Sequence, residues 1–282
     1  MVSAGPPIRE GQIHRAWGAM VQTAGSTEPA IPVVLKHMSG VKVAIELACS
    51  LAASALRLPV PRGMLVMANP DELTGFSTTD SLSASRRRLI CYGSVLRWPE
   101  TARARNGDSA VDDFIWQRFC ETATASSGAA WDELVANADR HAGNFVFDGN
   151  RYWLIDHDLA LRPLAEAVRR MTDVAVRSNI LEHRAAANQV ATQLATRRPT
   201  DHGILNQPRI FESKSKALEA LAAQMVHWRT GISEVDDVLT DAETVVRGII
   251  LRLPALGLQL TERLSKPTSS LKWTSTGSTA RR

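Results

Sequence analysis

The 282-residue sequence is short of cysteine, aromatic residues and long apolar runs, and each shortage excludes a class of protein. Its three cysteines, Cys49, Cys91 and Cys120, are far apart and each stands beside apolar residues. Neither a disulfide framework nor a cysteine metal site is expected, and all three should be buried, reduced thiols. No window approaches 18 uninterrupted apolar residues, and the opening Met1-Val2-Ser3-Ala4-Gly5-Pro6-Pro7 lacks the basic-then-apolar order of a secretory signal. Membrane insertion is therefore not expected, and a soluble cytoplasmic protein is. Aromatic residues make up only 5% of the chain, and no basic platform interleaved with them occurs. Although the formal charge is +4, the surplus sits in separate clusters, Arg86-Arg87-Arg88, Arg103 with Arg105, and the C-terminal tail. Without a zinc-finger spacing or a helix-turn-helix, nucleic-acid binding is not expected. What is present is an ordinary globular mixture, 44% hydrophobic and 22% charged, sufficient for one large domain or two small lobes.

Along the chain, residues 8 to 38 read as short extended segments ending in the strand Ile31-Pro32-Val33-Val34-Leu35-Lys36. From Val41 the apolar residues follow the helical period through Ala44, Ile45, Ala48, Leu51, Ala52 and Ala55, until Pro59 and Pro61 stop it. Gly63 to Met67 and Leu89 to Leu96 are further strand candidates, separated by a polar loop over 69–88. After a loop at Pro99 to Asp108, helices are expected from Ser109 to about Thr122 and from Ala129 to Asn137. Phe145-Val146-Phe147 and Tyr152-Trp153-Leu154-Ile155 flank Asp148-Gly149, a pair suited to a tight hairpin turn. Beyond Pro163 the chain reads as helices over 163–196, 213–230 and 233–253. The Ser/Thr-rich stretch from Ser265, without an acidic residue, reads as a disordered tail. Five of the seven tryptophans, Trp17, Trp98, Trp116, Trp131 and Trp153, are expected in packing roles.

The informative segment is Asn137-Ala138-Asp139-Arg140-His141-Ala142-Gly143-Asn144, followed by the hairpin and then by Leu154-Ile155-Asp156-His157-Asp158. Asp139 and Asn144 are five apart, and Asp156 follows Asn144 by twelve at the end of the second hairpin strand. A hairpin reversal would bring these polar ends to one edge. Phosphoryl transfer needs this set: a carboxylate to orient the acceptor hydroxyl, hard oxygen ligands for magnesium, and a cation for the phosphate tail. Asp139 is the candidate base, Asn144 and Asp156 the candidate Mg2+ ligands, and Lys36 the candidate ATP-phosphate cation. Glu46, on the helix that follows, is the natural partner of Lys36. Arg140 and His141 are read as loop braces, and Asp158 as either a second metal ligand or a helix cap.

These residues carry a resemblance to the HipA-like kinases, a bacterial offshoot of the protein-kinase fold. Val33-Val34-Leu35-Lys36 resembles the ATP-lysine strand, and Glu46-Leu47-Ala48 through Leu58-Pro59-Val60-Pro61 resembles the glutamate-bearing helix and its ending. The Asp139 and Asp156 segments resemble the catalytic and metal segments, and Asp-Arg-His-x-Gly-Asn is also similar to a run in the phosphoinositide kinases. The resemblance spans roughly residues 10 to 165. It implies an α+β bilobal kinase-like fold: a small sheet-containing N-lobe over 1–96, a largely helical C-lobe over 97–264, and a tail over 265–282. It further implies ATP and Mg2+ in the cleft and transfer of the γ-phosphate to Ser or Thr of a protein substrate. No Gly-x-Gly-x-x-Gly loop is present; Gly18 and the Ser39-Gly40 turn are the candidates to approach phosphates. His157-Asp158 stands where Phe-Gly follows the metal aspartate in most kinases. Two rival readings follow from these departures: a nucleotide-binding pseudokinase, and a metal-dependent phosphohydrolase built on the His157-Asp158 dyad with His141 and Asp139. An antitoxin-type regulator and the identity of the acceptor are left open by the sequence.

Overall fold

The computed structural model describes residues 2–8, 16–23, 25–73, 88–97, 109–161 and 180–265. Its first part is a five-stranded antiparallel sheet of β1 (Val2–Ile8), β2 (Ala16–Val21), β3 (Ile31–Lys36), β4 (Gly63–Ala68) and β5 (Leu89–Val95), in the order β1-β2-β3-β5-β4. The two-residue period of β3 sends Val33 and Leu35 into a small apolar cluster with Trp17 and Cys91, and leaves Val34 and Lys36 on the opposite face. Opposite them on β5, Ser94 pairs with Val34 and Tyr92 with Lys36. One face of the sheet is thus a closed core, and the other bears the lysine.

Helix α1 (Gly40–Ala55) is buried from Val43 through Ala53 with few interruptions. It lies between two partners, the β4–β5 side of the sheet and the long helix α7 (Ser233–Arg252), so its apolar surface is wide rather than a narrow stripe. The turn into β4 is pinned by Ser50, whose hydroxyl donates to the Pro61 carbonyl at 2.8 Å and accepts from the Gly63 N–H at 2.6 Å. A Cβ at Gly63 would lie 2.8 Å from both Ser50 Cβ and Tyr92 Cε2, so glycine alone fits this crossing.

The remainder is mostly helical: α2 (Ser109–Cys120), α3 (Ala123–Leu134), α4 (Gln189–Arg197), α5 (Gly203–Glu212), α6 (Ser215–Met225), α7 and α8 (Leu256–Ser265). α3 is rich in Ala, Ser and Gly, and its slimness lets α2, α4, α5 and α8 pack around it. Between α3 and α4 lies the hairpin of β6 (Phe145–Phe147) and β7 (Tyr152–Leu154), in the register Phe145↔Leu154. Gly149, at φ +90°, makes its turn. The Leu154 N–H donates to the Pro59 carbonyl at 2.8 Å, joining the hairpin to the chain leaving α1.

Most expected elements are found, with differences. The helix expected over 129–137 runs from Ala123 to Leu134; its Ser/Thr start hid the first two turns. The helix expected through 163–196 is interrupted, since 183–188 are non-helical and α4 begins only at Gln189, capped by Asn188. The helix expected over 213–230 is shorter, Ser215–Met225. α5 and α8 were not among the expected helices; Pro208 lies inside α5, and a 3-10 turn at Leu253–Ala255 absorbs Pro254 before α8. The expected disordered tail after Ser265, the clusters Arg86-Arg87 and Arg103/Arg105, and Trp98 lie outside the described residues. Residues 233–265 are long and apolar enough to cross a membrane by length and composition, with mean hydropathy 1.2, but half of that window is buried inside the protein, as suits a core helix. The three cysteines are free and buried, as expected.

Candidate active site

The end of β3 delivers Lys36 to the space between the sheet and the hairpin. Its ammonium donates to Glu46 Oε1 at 2.7 Å and to Asp156 Oδ1 at 2.8 Å, so three residues spread over 120 positions of sequence meet at one nitrogen. Burial alone would lower the lysine's pKa; the Glu46 and Asp156 carboxylates more than reverse this and hold it above its ordinary value. Burial likewise works to raise Asp156, but Lys36 outweighs it and brings that carboxyl down to about 2. Glu46, almost wholly buried, is pushed up by desolvation, with Lys36 and the His157 N–H pulling against it.

Asp156 has φ +63°, in the left-handed region that a carboxylate-bearing residue tolerates better than most. Its neighbours hold this conformation. The Ile155 N–H donates to the Asn144 carbonyl at 3.1 Å, and the His157 N–H donates to Glu46 Oε2 at 3.1 Å. The twist turns the Asp156 carboxylate toward Lys36 while the His157 ring goes inward. There His157 Nε2 accepts from Trp131 Nε1 at 3.1 Å and faces Arg140 Nη2 at 3.1 Å. With donors on Nε2, the ring proton sits on Nδ1, which lies 3.9 Å from Glu46 Oε2. Burial, then Arg140, hold its pKa well below the usual value. Both ring nitrogens point into the protein, which removes the His157-Asp158 dyad as a metal-ligating pair. Among the described residues no three His, Cys, Asp or Glu side chains are grouped to hold a metal ion.

Arg140 is the brace expected of it, and more. It forms a fork on Asp132 (Nε to Oδ2 3.0 Å, Nη2 to Oδ1 2.9 Å) while Nη1 reaches the carbonyls of Asn144 and Ile155. The loop before β6 and the chain after β7 are thereby tied to the end of α3. His141 caps the short 3-10 turn Ala142–Asn144 by accepting from the Gly143 N–H at 3.1 Å.

Asp139 and Asn144 are joined to one another, Asn144 Nδ2 donating to the Asp139 carbonyl at 3.0 Å, which leaves Asn144 Oδ1 as an acceptor. Neither touches Lys36. Asp139 is exposed; desolvation and the negative charges of Asp156 and Asp158 raise its pKa, with His141 working against them. Asp158 accepts from Lys42 Nζ at 2.8 Å. The cleft itself, open to solvent, has an apolar end at Val34, Val60, Val146 and Leu154 and a charged end at Lys36, Glu46 and Asp156. Trp17, Trp116 and Trp131 are core residues as expected; Trp153 is also buried and carries the guanidinium groups of Arg97 and Arg151 on its ring.

Three contributors had no place in the sequence reading: Asp132, the Trp131–His157 contact, and Lys42. Asp132 gave one legible signal, an acidic pair (Asp132-Glu133) set inside an apolar helical stretch, which has to be matched by buried cations. No protein-family model matches the chain and no curated protein matches it. Among solved structures it is similar to the proinflammatory kinase CtkA of Helicobacter pylori, with 10% identity and a TM-score of 0.49 over 93% of this chain and 97% of that chain.

Proposed function

We propose that this chain is an ATP-dependent kinase that transfers the γ-phosphate to a hydroxyl acceptor, a serine or threonine of a protein, with the cleft lying between an N-lobe and a helical C-lobe. The observation that carries this reading is the three-way contact of Lys36 with Glu46 and Asp156 at the charged end of an apolar cleft. A structural ion pair needs one carboxylate; a lysine held between two, one on a helix and one on a strained turn, is prepared to be handed to a third anion. The apolar end accepts a planar base, and Lys36 holds phosphate oxygens while Glu46 fixes its position. Asp139, exposed and raised in pKa, orients the acceptor hydroxyl and takes up its proton.

The donor set fits magnesium. The Asp156 carboxylate and Asn144 Oδ1 are hard oxygens, two protein ligands being what a phosphate-bound Mg2+ takes. When bound, magnesium supplies charge neutralisation at the phosphate oxygens. Arg140 keeps both ligands in register through its bonds to the Asn144 and Ile155 carbonyls.

The test is transfer from labelled ATP with magnesium to the protein itself and to a cell lysate, beside Asp139→Asn and Asp156→Ala. Loss of transfer in both variants, with the fold retained, is the expected result. Thermal stabilisation by ATP without any transfer would favour the pseudokinase, and no response to ATP would overturn the assignment of the cleft.

A further inference from the structure

Resting on the nucleotide reading above, we propose that Arg97 reads the base at the far end of this cleft, and that the cleft takes a 6-oxopurine triphosphate, GTP or ITP, at least as readily as ATP. Arg97 and Lys36 both line the cleft, and the register of the sheet sets them at opposite ends of it. β3 and β5 are antiparallel, with Lys36 opposite Tyr92 and Val34 opposite Ser94, so β5 leads away from the lysine. The Leu96 N–H donates to the Pro32 carbonyl at 2.9 Å, which keeps the chain on that course to Arg97. Five residues of extended chain from Tyr92 to Arg97 cover about 16 Å. A nucleotide whose phosphates lie on Lys36 therefore turns its other end, the base, toward Arg97.

Arg97 is held as a fixed donor. Its guanidinium lies 3.6 Å from the centroid of the Trp153 ring, and that ring is fixed in turn by its Nε1, which donates to Asp148 Oδ2 at 2.6 Å. A guanidinium stacked on an indole keeps its N–H groups in its own plane, directed away from the ring. Asp148 acts on Arg97 through its charge, without a hydrogen bond, and among the described residues Arg97 Nε is buried with no partner. Burial and the charge of Arg151, 4.3 Å from the same ring, lower the pKa of Arg97. Contact with Trp153 alone would be met by an apolar side chain without that desolvation. The donor set then selects the base. Arg97 can only donate, and the other polar side chain at that end, Ser94, carries a hydroxyl that donates or accepts. The carboxylates Glu46 and Asp156 are at the other end, on Lys36. Adenine turns an amino group, itself a donor, toward such a site. Guanine and hypoxanthine offer a carbonyl oxygen beside a ring nitrogen, the two acceptors that a guanidinium fork takes together.

The experiment is isothermal titration calorimetry of ATP, GTP and ITP with Mg2+ on the wild type, Arg97→Met, Arg97→Lys and Arg151→Met, with thermal unfolding to establish that each variant is folded. The wild type is expected to bind GTP at least as tightly as ATP, and ITP, which keeps the 6-oxo group without the 2-amino group, to follow GTP. Arg97→Met should shift the ratio of the two Kd values about tenfold or more toward ATP. Arg97→Lys keeps the charge and the contact with Trp153 but lacks the fork, and should shift the ratio in the same direction. Arg151→Met removes the other guanidinium from the ring and should leave the ratio as it is. A wild type that binds ATP more tightly than GTP overturns the proposal and leaves the ATP reading standing. So does an Arg97→Met variant that weakens both nucleotides equally, or an Arg151→Met variant that shifts the ratio as far, since either would put the effect in the packing of Trp153. A wild type that binds none of the three overturns the nucleotide reading and this proposal with it.

Discussion

Two glutamates, Glu46 and Glu133, are equally buried, and their surroundings differ in every respect that separates a working site from a structural one. Glu133 accepts from Arg263 through two nitrogens (2.5 and 3.1 Å), from Arg184 at 3.4 Å and from Asn188 Nδ2 at 3.1 Å. Its donors are mainly guanidinium forks of fixed geometry, and positive charge is in excess around it. Arg252, just beside, is wholly buried and gives its donors to the carbonyls of Leu134, Ile180, His183 and Glu133, with desolvation bringing its pKa down to about 10. Glu46 has one lysine and one backbone N–H, stands at the wall of an open cleft, and belongs to a group in which negative charge is in excess. Buried charge by itself is therefore uninformative. Sign of the excess, stiffness of the partner and access to solvent distinguish the two.

The comparison is broken most sharply by activity. Asp139→Asn removes the candidate base from an exposed position, so phosphate transfer should fall by about 10²–10⁴ in labelled-ATP assays while urea midpoints hardly move. Retained transfer would mean that Asp139 is not the base. Stability should show the opposite dependence. Glu133→Gln leaves the part-buried guanidinium groups of Arg184 and Arg263 without their carboxylate and should cost about 2–4 kcal/mol in urea unfolding. Glu46→Gln keeps an acceptor for the His157 N–H, and Lys36 keeps Asp156, so it should cost no more than about 1.5 kcal/mol of stability while impairing transfer. Equal stability losses in the two glutamine variants would erase the distinction.

How the two glutamates reveal themselves in sequence follows the same division. The meeting of Lys36, Glu46 and Asp156 was legible because of their order and spacing, and because the strand, α1 and hairpin that carry them have strong periodicity and clear breakers. Asp132 and Glu133 were marked only as an acidic pair in an apolar helical stretch; the arginines of Glu133 come from α8 and from residue 184, and nothing local says which distant cations a buried carboxylate will find. Arg140, the partner of Asp132, was recognised as a brace. Lys42 was passed over because a lysine in a first helical turn is ordinarily solvated. After residue 180 two helices were missed where local signals disagree with packing: Pro208 and Gly257 are poor helix formers, yet α5 and α8 pack together there, with Pro208 against Gly257.

A smaller effect tests the joint that sets the sheet against α1. Gly63→Ala places a methyl group 2.8 Å from Ser50 and Tyr92 and should cost about 1–3 kcal/mol, with no comparable cost for Gly18→Ala, where a Cβ has open space. Equal midpoints for the two variants would show that the crossing relaxes freely, and the placement of Lys36 opposite Tyr92 would then not depend on it.

The mildest test concerns His157, which links the candidate site to the core. Its folded pKa is depressed by burial and by Arg140, so on acidification the unfolded chain takes up this proton first. Its contribution is complete above the unfolded value of about 6.5 and is lost below it at up to about 1.4 kcal/mol per pH unit. His183 is depressed as well, by burial and Arg252, while the raised carboxyls of Glu46 and Asp139 act in the opposite sense. The wild-type slope alone is therefore ambiguous, and the informative quantity is its difference from His157→Gln. Glutamine offers an oxygen where Nε2 accepts from Trp131, and it does not titrate. The variant should unfold in urea with a shallower loss of stability between pH 6.5 and 5. Parallel slopes would mean that His157 is already solvated or charged, and the neutral ring tying Glu46 to Trp131 and Arg140 would have to be abandoned.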